Sequence, residues 1–231
     1  TVLLALTLAL GMSVSAFAAD AASTATMQKN YKVTNGGTTT PAEAFTFTAK
    51  AVSVTDGTKT DGTPLTVADM PALTISSAAY TEGQSGLKDL TISHEKTFPN
   101  VGVYTYEVTE TAGTTAGVTY NTNNMKLVVT VAHGDGDALV ETYNFYPDGT
   151  NKGTEIENVY DAGSLTVTKE VTGQLGDKNK KFDITVTFNA PAGKTVKSTI
   201  TLPDGSQILP TEWKEDTVTK TISLKDGESV E

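Results

Sequence analysis

Cysteine is absent from this 231-residue chain, and so is arginine. Without cysteine no disulfide can staple the fold, although exported domains often rely on one. Thiolate zinc sites are excluded as well, and the 2 histidines, His94 and His133, have no ligand cluster around them. Basic residues number 17 against 27 acidic ones, a net charge of -10, which argues against nucleic acid because binding there needs a basic surface. Long apolar runs are also missing. The one apolar stretch, residues 2–10, is too short for a stable membrane span, and no membrane span is expected in the mature chain. No long segment carries a 3.6-residue period. Neither a metal nor a cofactor is expected.

The opening "TVLLALTLALGMSVSAFAAD" has the form of a secretory signal: a short apolar core, then small residues at Ala16 and Ala18 suited to cleavage. Residues 1–18 are expected to be removed on export, residues 19–26 to be a linker, and a basic leader segment to precede Thr1.

What the chain does have is threonine, valine and tyrosine in short alternating runs, separated by turn signals such as "NGG", "TDG", "GDGD" and "PDGTNKG". "MQKNYKV" sets Met27, Lys29, Tyr31 and Val33 on one face. "AFTFTAKA" pairs Phe45 with Phe47, and "MKLVVTVA" aligns Met125, Leu127, Val129 and Val131. These runs, with "ALVETYNFY" and "TEIENVY", predict an all-β sandwich of about seven or more strands over residues 27–161. Residues 75–98 leave room for a short helical turn. "DAG" at 161–163 reads as a linker. A second set then begins at "SLTVTKEVTG", with Leu165, Val167, Lys169 and Val171 inward. "KFDITVTF" follows, with Phe182, Ile184, Val186 and Phe188 inward. Both halves therefore open with a strand carrying one inward lysine, then a polar loop, then a phenylalanine-bearing strand. This weak internal repeat predicts a related second sandwich starting at residue 164.

Three polar residues of the first half fall where the alternation wants apolar ones: Lys29, Glu110 at the end of "YTYEVTE", and Asn158 between Ile156 and Tyr160. Leaving a lysine or glutamate buried and unpaired costs several kcal/mol, so one shared site explains them better than three accidents. Each also has an ordinary reading. Lys29 can snorkel to the sandwich edge, Glu110 can be a strand-end residue in solvent, and Asn158 can be a turn former. Lys32, by parity, faces outward. Burial lowers a lysine pKa and raises a glutamate pKa. A neutral Lys29 amine can then attack the Asn158 carboxamide, with Glu110 hydrogen-bonding the amide oxygen and shuttling protons as ammonia leaves. Such a reaction occurs once per molecule, so it is maturation and not enzymatic turnover.

These residues, with "PAEAFTFTAK", "PNVGVYTYEVTE", "AGVTYNTNNMKLVVTV" and "IENVY", resemble the isopeptide-linkage domains of Gram-positive backbone pilins, CnaB-like sandwiches of the immunoglobulin type. The resemblance implies an isopeptide bond between Lys29 and Asn158 with Glu110 as the catalytic proton shuttle. It implies a secreted protein of the cell surface or cell wall whose partners are neighbouring pilin subunits, joined by a sortase. Similar pilins are joined through a lysine near Lys152, in the loop "YPDGTNKG". Residues 164–231 resemble the opening of a second such domain, with Lys169 as its isopeptide lysine and its acid- and amide-bearing strands expected beyond Glu231. Two other functional classes fit the same sequence: an adhesin whose loops bind a host protein or glycan, and an accessory sandwich of an extracellular enzyme.

Other candidate chemistry is weak. Asp135 and Asp137 lack the later ligands of a calcium loop and suit a hairpin turn better. Glu107 and Glu110 lie three apart on one strand, hence on opposite faces, and cannot flank one glycosidic bond.

Overall fold

The computed structural model describes residues 27–35, 38–202 and 204–231, so the expected signal and linker, residues 1–26, lie outside the described residues. The strands of the first part are β1 (Met27–Val33), β2 (Glu43–Phe45), β3 (Phe47–Thr55), β4 (Leu73–Ile75), β5 (Ala78–Tyr80) and β6 (Gly86–Leu90). They continue with β7 (Ile92–His94), β8 (Gly102–Glu110), β9 (Val118–Thr119), β10 (Met125–His133), β11 (Leu139–Tyr146) and β12 (Glu155–Tyr160). Two four-stranded sheets, β6-β1-β12-β9 and β11-β10-β8-β3, face each other as an immunoglobulin-like β-sandwich. The alternation in the sequence accounts for the packing. Met27, Tyr31, Ile156 and Tyr160 point inward from the first sheet. Tyr104, Tyr106, Val108, Met125, Leu127, Val129 and Val131 meet them from the second.

The run 44–51, read as one strand, is divided. Phe45 ends β2, which pairs with β5, and Phe47 starts β3, which pairs with β8. Both phenylalanines remain buried. The chain therefore changes sheets at Thr46 without losing parity. The helical turn considered over 75–98 is not there. That span holds β5, β6 and β7, and the one short 3-10 turn nearby is Val67–Asp69. Alternation at Ala78, Tyr80, Leu90 and Ile92 buries one side of each strand, which a helix would not do.

The first and last strands of the sandwich lie side by side. β1 pairs with β12 in parallel, Lys29 opposite Ile156 and Tyr31 opposite Asn158. Lys29 and Asn158 are thus diagonal neighbours on the inner face. β8 crosses the other sheet and ends at Glu110, opposite Phe47.

Residues beyond 163 form β13 (Val167–Thr168), β14 (Phe182–Asn189), β15 (Ile200–Thr201), β16 (Gln207–Ile208), β17 (Thr217–Leu224) and β18 (Ser229–Val230). Among the described residues they pair two by two, as β13-β18, β14-β17 and β15-β16. Ile208, Val218 and Leu224 are buried, while Phe182, Ile184, Val186 and Phe188 are only half-buried along β14. Leu165 does not face inward as its parity predicts: its side chain is 52% exposed. Among the described residues the β13–β18 pairing starts at Val167, so Leu165 lies outside the paired strand, at the border of an apolar groove. The groove, of about 720 Å³, runs between this part and the sandwich, bordered also by Tyr160, Val186, Phe188, Trp213 and Ile222. The two parts touch directly. Thr195 pairs with Thr115, its N–H donating to the Thr114 carbonyl at 2.8 Å. Lys197 reaches the buried Glu43 carboxylate at 3.2 Å, and Glu43 also accepts from the buried Thr115 hydroxyl.

Candidate functional site: a buried lysine, glutamate and asparagine

Lys29, Glu110 and Asn158 meet inside the sandwich. The Lys29 and Glu110 side chains are both fully excluded from solvent, and Asn158 is 1% exposed. The Lys29 ammonium donates to Glu110 Oε2 at 2.7 Å. The other oxygen of the same carboxylate, Oε1, accepts from Asn158 Nδ2. One carboxylate therefore holds the amine and the carboxamide nitrogen together. Lys29 Nζ also stands 4.5 Å from the centre of the Phe45 ring, a cation–π contact. Phe45, Tyr31 and Tyr80 pack edge-to-face around it, with centroids 5.2 to 5.8 Å apart. The Tyr80 hydroxyl donates to the Lys29 carbonyl at 2.9 Å and so fixes the strand at that residue.

Burial brings the Lys29 pKa down from 10.5 to about 8, with the hydrogen bond and charge of Glu110 opposing part of the fall. Burial in the same surroundings pushes the Tyr31 hydroxyl well above its ordinary range. Lys32 points outward, as parity requires, and pairs with Glu157 at the surface.

The carboxamide is oriented differently from the expectation that Glu110 would bond the amide oxygen. Glu110 takes the nitrogen end. Asn158 Oδ1 instead accepts the backbone N–H of Asn121 at 2.9 Å. The reason is electrostatic: a carboxylate already accepting from Lys29 offers lone pairs, so the amide turns its N–H toward it and its oxygen toward a donor. Asn121 was not readable from residue type, because a backbone N–H is common to almost every residue. The only signal was the polar run "TYNTNN" placed just before β10.

The other lysines singled out lie elsewhere. Lys152 is exposed on the turn between β11 and β12. There Asp148 accepts the N–H groups of Thr150 and Asn151 and so fixes the turn. Lys169 is half-buried just after β13; its Nζ donates to the Glu170 carbonyl at 2.6 Å and stands 4.8 Å from the Phe182 ring centre. Asp135 and Asp137 form a tight turn between β10 and β11, and no cluster able to hold a metal ion occurs among the described residues. His94 bonds Glu141 and the Lys96 carbonyl, and Glu107 lies on the outer face of β8.

A family model described as the Spy0128-like isopeptide containing domain matches residues 25–161. The chain belongs to this family. A second model, a domain of unknown function (DUF7601), matches residues 163–231. A pilin of Streptococcus pyogenes serotype M1 is 30% identical over 215 residues, which cover 89% of this chain and 62% of that protein. This member of the family thus spans less than two thirds of that relative's length. The crystal structure of the major pilin of Streptococcus pyogenes is similar at 26% identity and a TM-score of 0.57, over 90% of this chain and 76% of that one. The T3.2 major pilin of the same species is 25% identical with a TM-score of 0.55, over 90% and 76% of the two chains.

Proposed function

We propose that this chain is part of a pilus shaft subunit of a Gram-positive cell surface, and that its first sandwich, residues 27–161, ties itself together with an isopeptide bond between Lys29 and Asn158. The observation that carries the reading is the single Glu110 carboxylate bridging the attacking amine and the leaving nitrogen. Glu110 takes a proton from the Lys29 ammonium, and the freed amine attacks Asn158 Cγ. Glu110 then returns a proton to Nδ2 as the Cγ–Nδ2 bond breaks. Of the three ammonium protons, one stays on the new amide and two leave on the departing nitrogen as ammonium. The strands hold the reactants together, so the usual entropic cost of a bimolecular step is already met by folding. The bond would lie within the β1–β12 pairing and tie the first strand to the last, the tie that a chain without cysteine cannot make as a disulfide.

Residues 164–231 are read as a second unit following the first, with Lys169 as a candidate isopeptide lysine. Export through the signal of residues 1–18 and joining of subunits by a sortase at Lys152 complete the reading. Lys152 suits that role because it is exposed on a turn whose backbone Asp148 holds in place. Mass spectrometry of the folded chain tests the bond: the intact protein should be lighter by one ammonia, and digestion should release a branched peptide joining residues 29 and 158. A folded sample of unaltered mass rules the bond out. In native polymer, a branch at a lysine other than Lys152 removes that residue from assembly.

A further inference from the structure

We infer that the backbone N–H of Asn121 activates the Asn158 carbonyl for attack, dividing the chemistry between two groups: Glu110 moves protons and Asn121 holds the oxygen. The inference rests on the proposed Lys29–Asn158 bond. When the Lys29 amine adds to Cγ, negative charge develops on Oδ1. The Glu110 carboxylate faces the opposite, nitrogen end of the carboxamide. The group that faces Oδ1 is the Asn121 N–H, at 2.9 Å. A donor fixed before the reaction and aimed at the developing charge stabilises the transition state without reorganising.

The N–H is held in place from several sides. β9 pairs with β12 itself, Thr119 opposite Val159 and Val118 opposite Tyr160, so the ladder carries the chain alongside Asn158. At Gly117 the backbone turns with φ at 78°, and the Asp161 N–H donates to its carbonyl at 2.9 Å. A Cβ there would lie 2.7 Å from the Asp161 carbonyl oxygen and 2.8 Å from the Tyr160 ring, so only glycine lets β9 lie this close to β12. Tyr120 packs edge-to-face on Phe45, centroids 6.1 Å apart, and its hydroxyl accepts the Thr115 N–H at 3.2 Å. On the far side, the Asn121 side-chain oxygen accepts the Asn123 N–H at 2.9 Å and closes a local turn. The Asn121 side chain is therefore a positioning group for its own main-chain donor.

The test removes the donor and keeps the shape. Cell-free synthesis with the α-hydroxy analogue of asparagine at position 121 replaces the amide N–H with an ester oxygen. Loss of ammonia is then followed by intact mass against time, beside the unmodified chain. The ester should slow bond formation by about 100-fold or more, the usual effect of deleting one such donor. Asn121→Ala should slow it less, and Asn121→Asp, which keeps the turn acceptor, should restore most of the rate. Near-UV circular dichroism of each variant in an Asn158→Ala background reports whether the fold survives. If the unmodified chain loses ammonia and the folded ester chain keeps pace, the bond stands and the role of Asn121 is overturned. If the unmodified chain never loses ammonia, both readings fall. Should the ester chain not fold, the side-chain pair decides, and equal rates for Asn121→Ala and Asn121→Asp overturn the inference.

Discussion

Lys29 and Lys169 occupy matching places in the two halves of the chain, each in an opening segment with hydrophobic neighbours two residues away on either side. Their surroundings have little in common. Lys29 is sealed between two four-stranded sheets, with a carboxylate on its ammonium and phenylalanine under it. Lys169 is half open, capped by the carbonyl of the next residue and resting beside Phe182. Strand parity alone therefore does not bury a lysine. β1 has β6 and β12 on its flanks and a whole sheet across from it, whereas β13 has two residues paired to β18. Reactivity of the kind proposed needs the facing layer, because burial is what lowers the Lys29 pKa toward neutrality.

The sharpest way to break this contrast is Glu110→Ala. Loss of ammonia should be abolished, and the Lys29 ammonium would be left buried without its partner, a cost of about 3–5 kcal/mol beyond loss of the bond. Intact mass and urea unfolding read both effects; a Glu110→Ala chain that still forms the bond removes Glu110 from the chemistry.

Asn158→Ala should keep the Lys29–Glu110 pair and lose only the tie. Closing a loop from residue 29 to 158 is worth about 3–5 kcal/mol on chain-entropy grounds, and the difference from wild type should be the same with or without dithiothreitol. Equal unfolding midpoints would show that the tie does not stabilise.

In that Asn158→Ala protein the amine stays free, and its pKa sets a pH dependence. Lys29 titrates at about 8 folded, below its ordinary 10.5, because of burial. Between these values the unfolded chain binds more protons, so stability should rise with pH there, by on the order of 2 kcal/mol from pH 8 to 10. Above pH 10 the trend should reverse. Burial raises Tyr31, Tyr80 and Tyr106, so these stay protonated in the fold while the unfolded tyrosines ionise. Lys29→Met in the same background should remove the rise, and Lys169→Met should not.

The rate of ammonia loss sharpens the proton assignment. If Glu110 relays the proton of Lys29, the reactive pair carries that proton, and the rate should be level just below pH 8 and fall about tenfold per unit above it. A rate that climbs to pH 8 and then levels off would mean that a simple free amine reacts. The smallest effect is expected from Lys169→Ala, which should change stability by no more than about 0.5 kcal/mol. Amine-reactive labelling of the folded chain should modify Lys169 and spare Lys29.

The sandwich and the inward direction of Lys29, Glu110 and Asn158 were legible from alternation, because a side-chain period of two assigns faces wherever a strand is long enough. The alternation of 104–110 and 125–132 carried most of that. Three things were not legible. The change of sheet at Thr46 preserves parity and leaves no mark in the pattern. Leu165 keeps the parity of an inward residue, but its segment lacks the paired neighbours that would turn parity into burial. The third is the orientation of the Asn158 amide. Residue types determined that an amine, an acid and a carboxamide would share one interior, since their periodicity is written in the chain. Only the tertiary structure decided that Glu110 takes the nitrogen and Asn121 the oxygen. That choice depends on a backbone donor brought against β12 by β9, and backbone donors carry no sequence signature until the chain has folded.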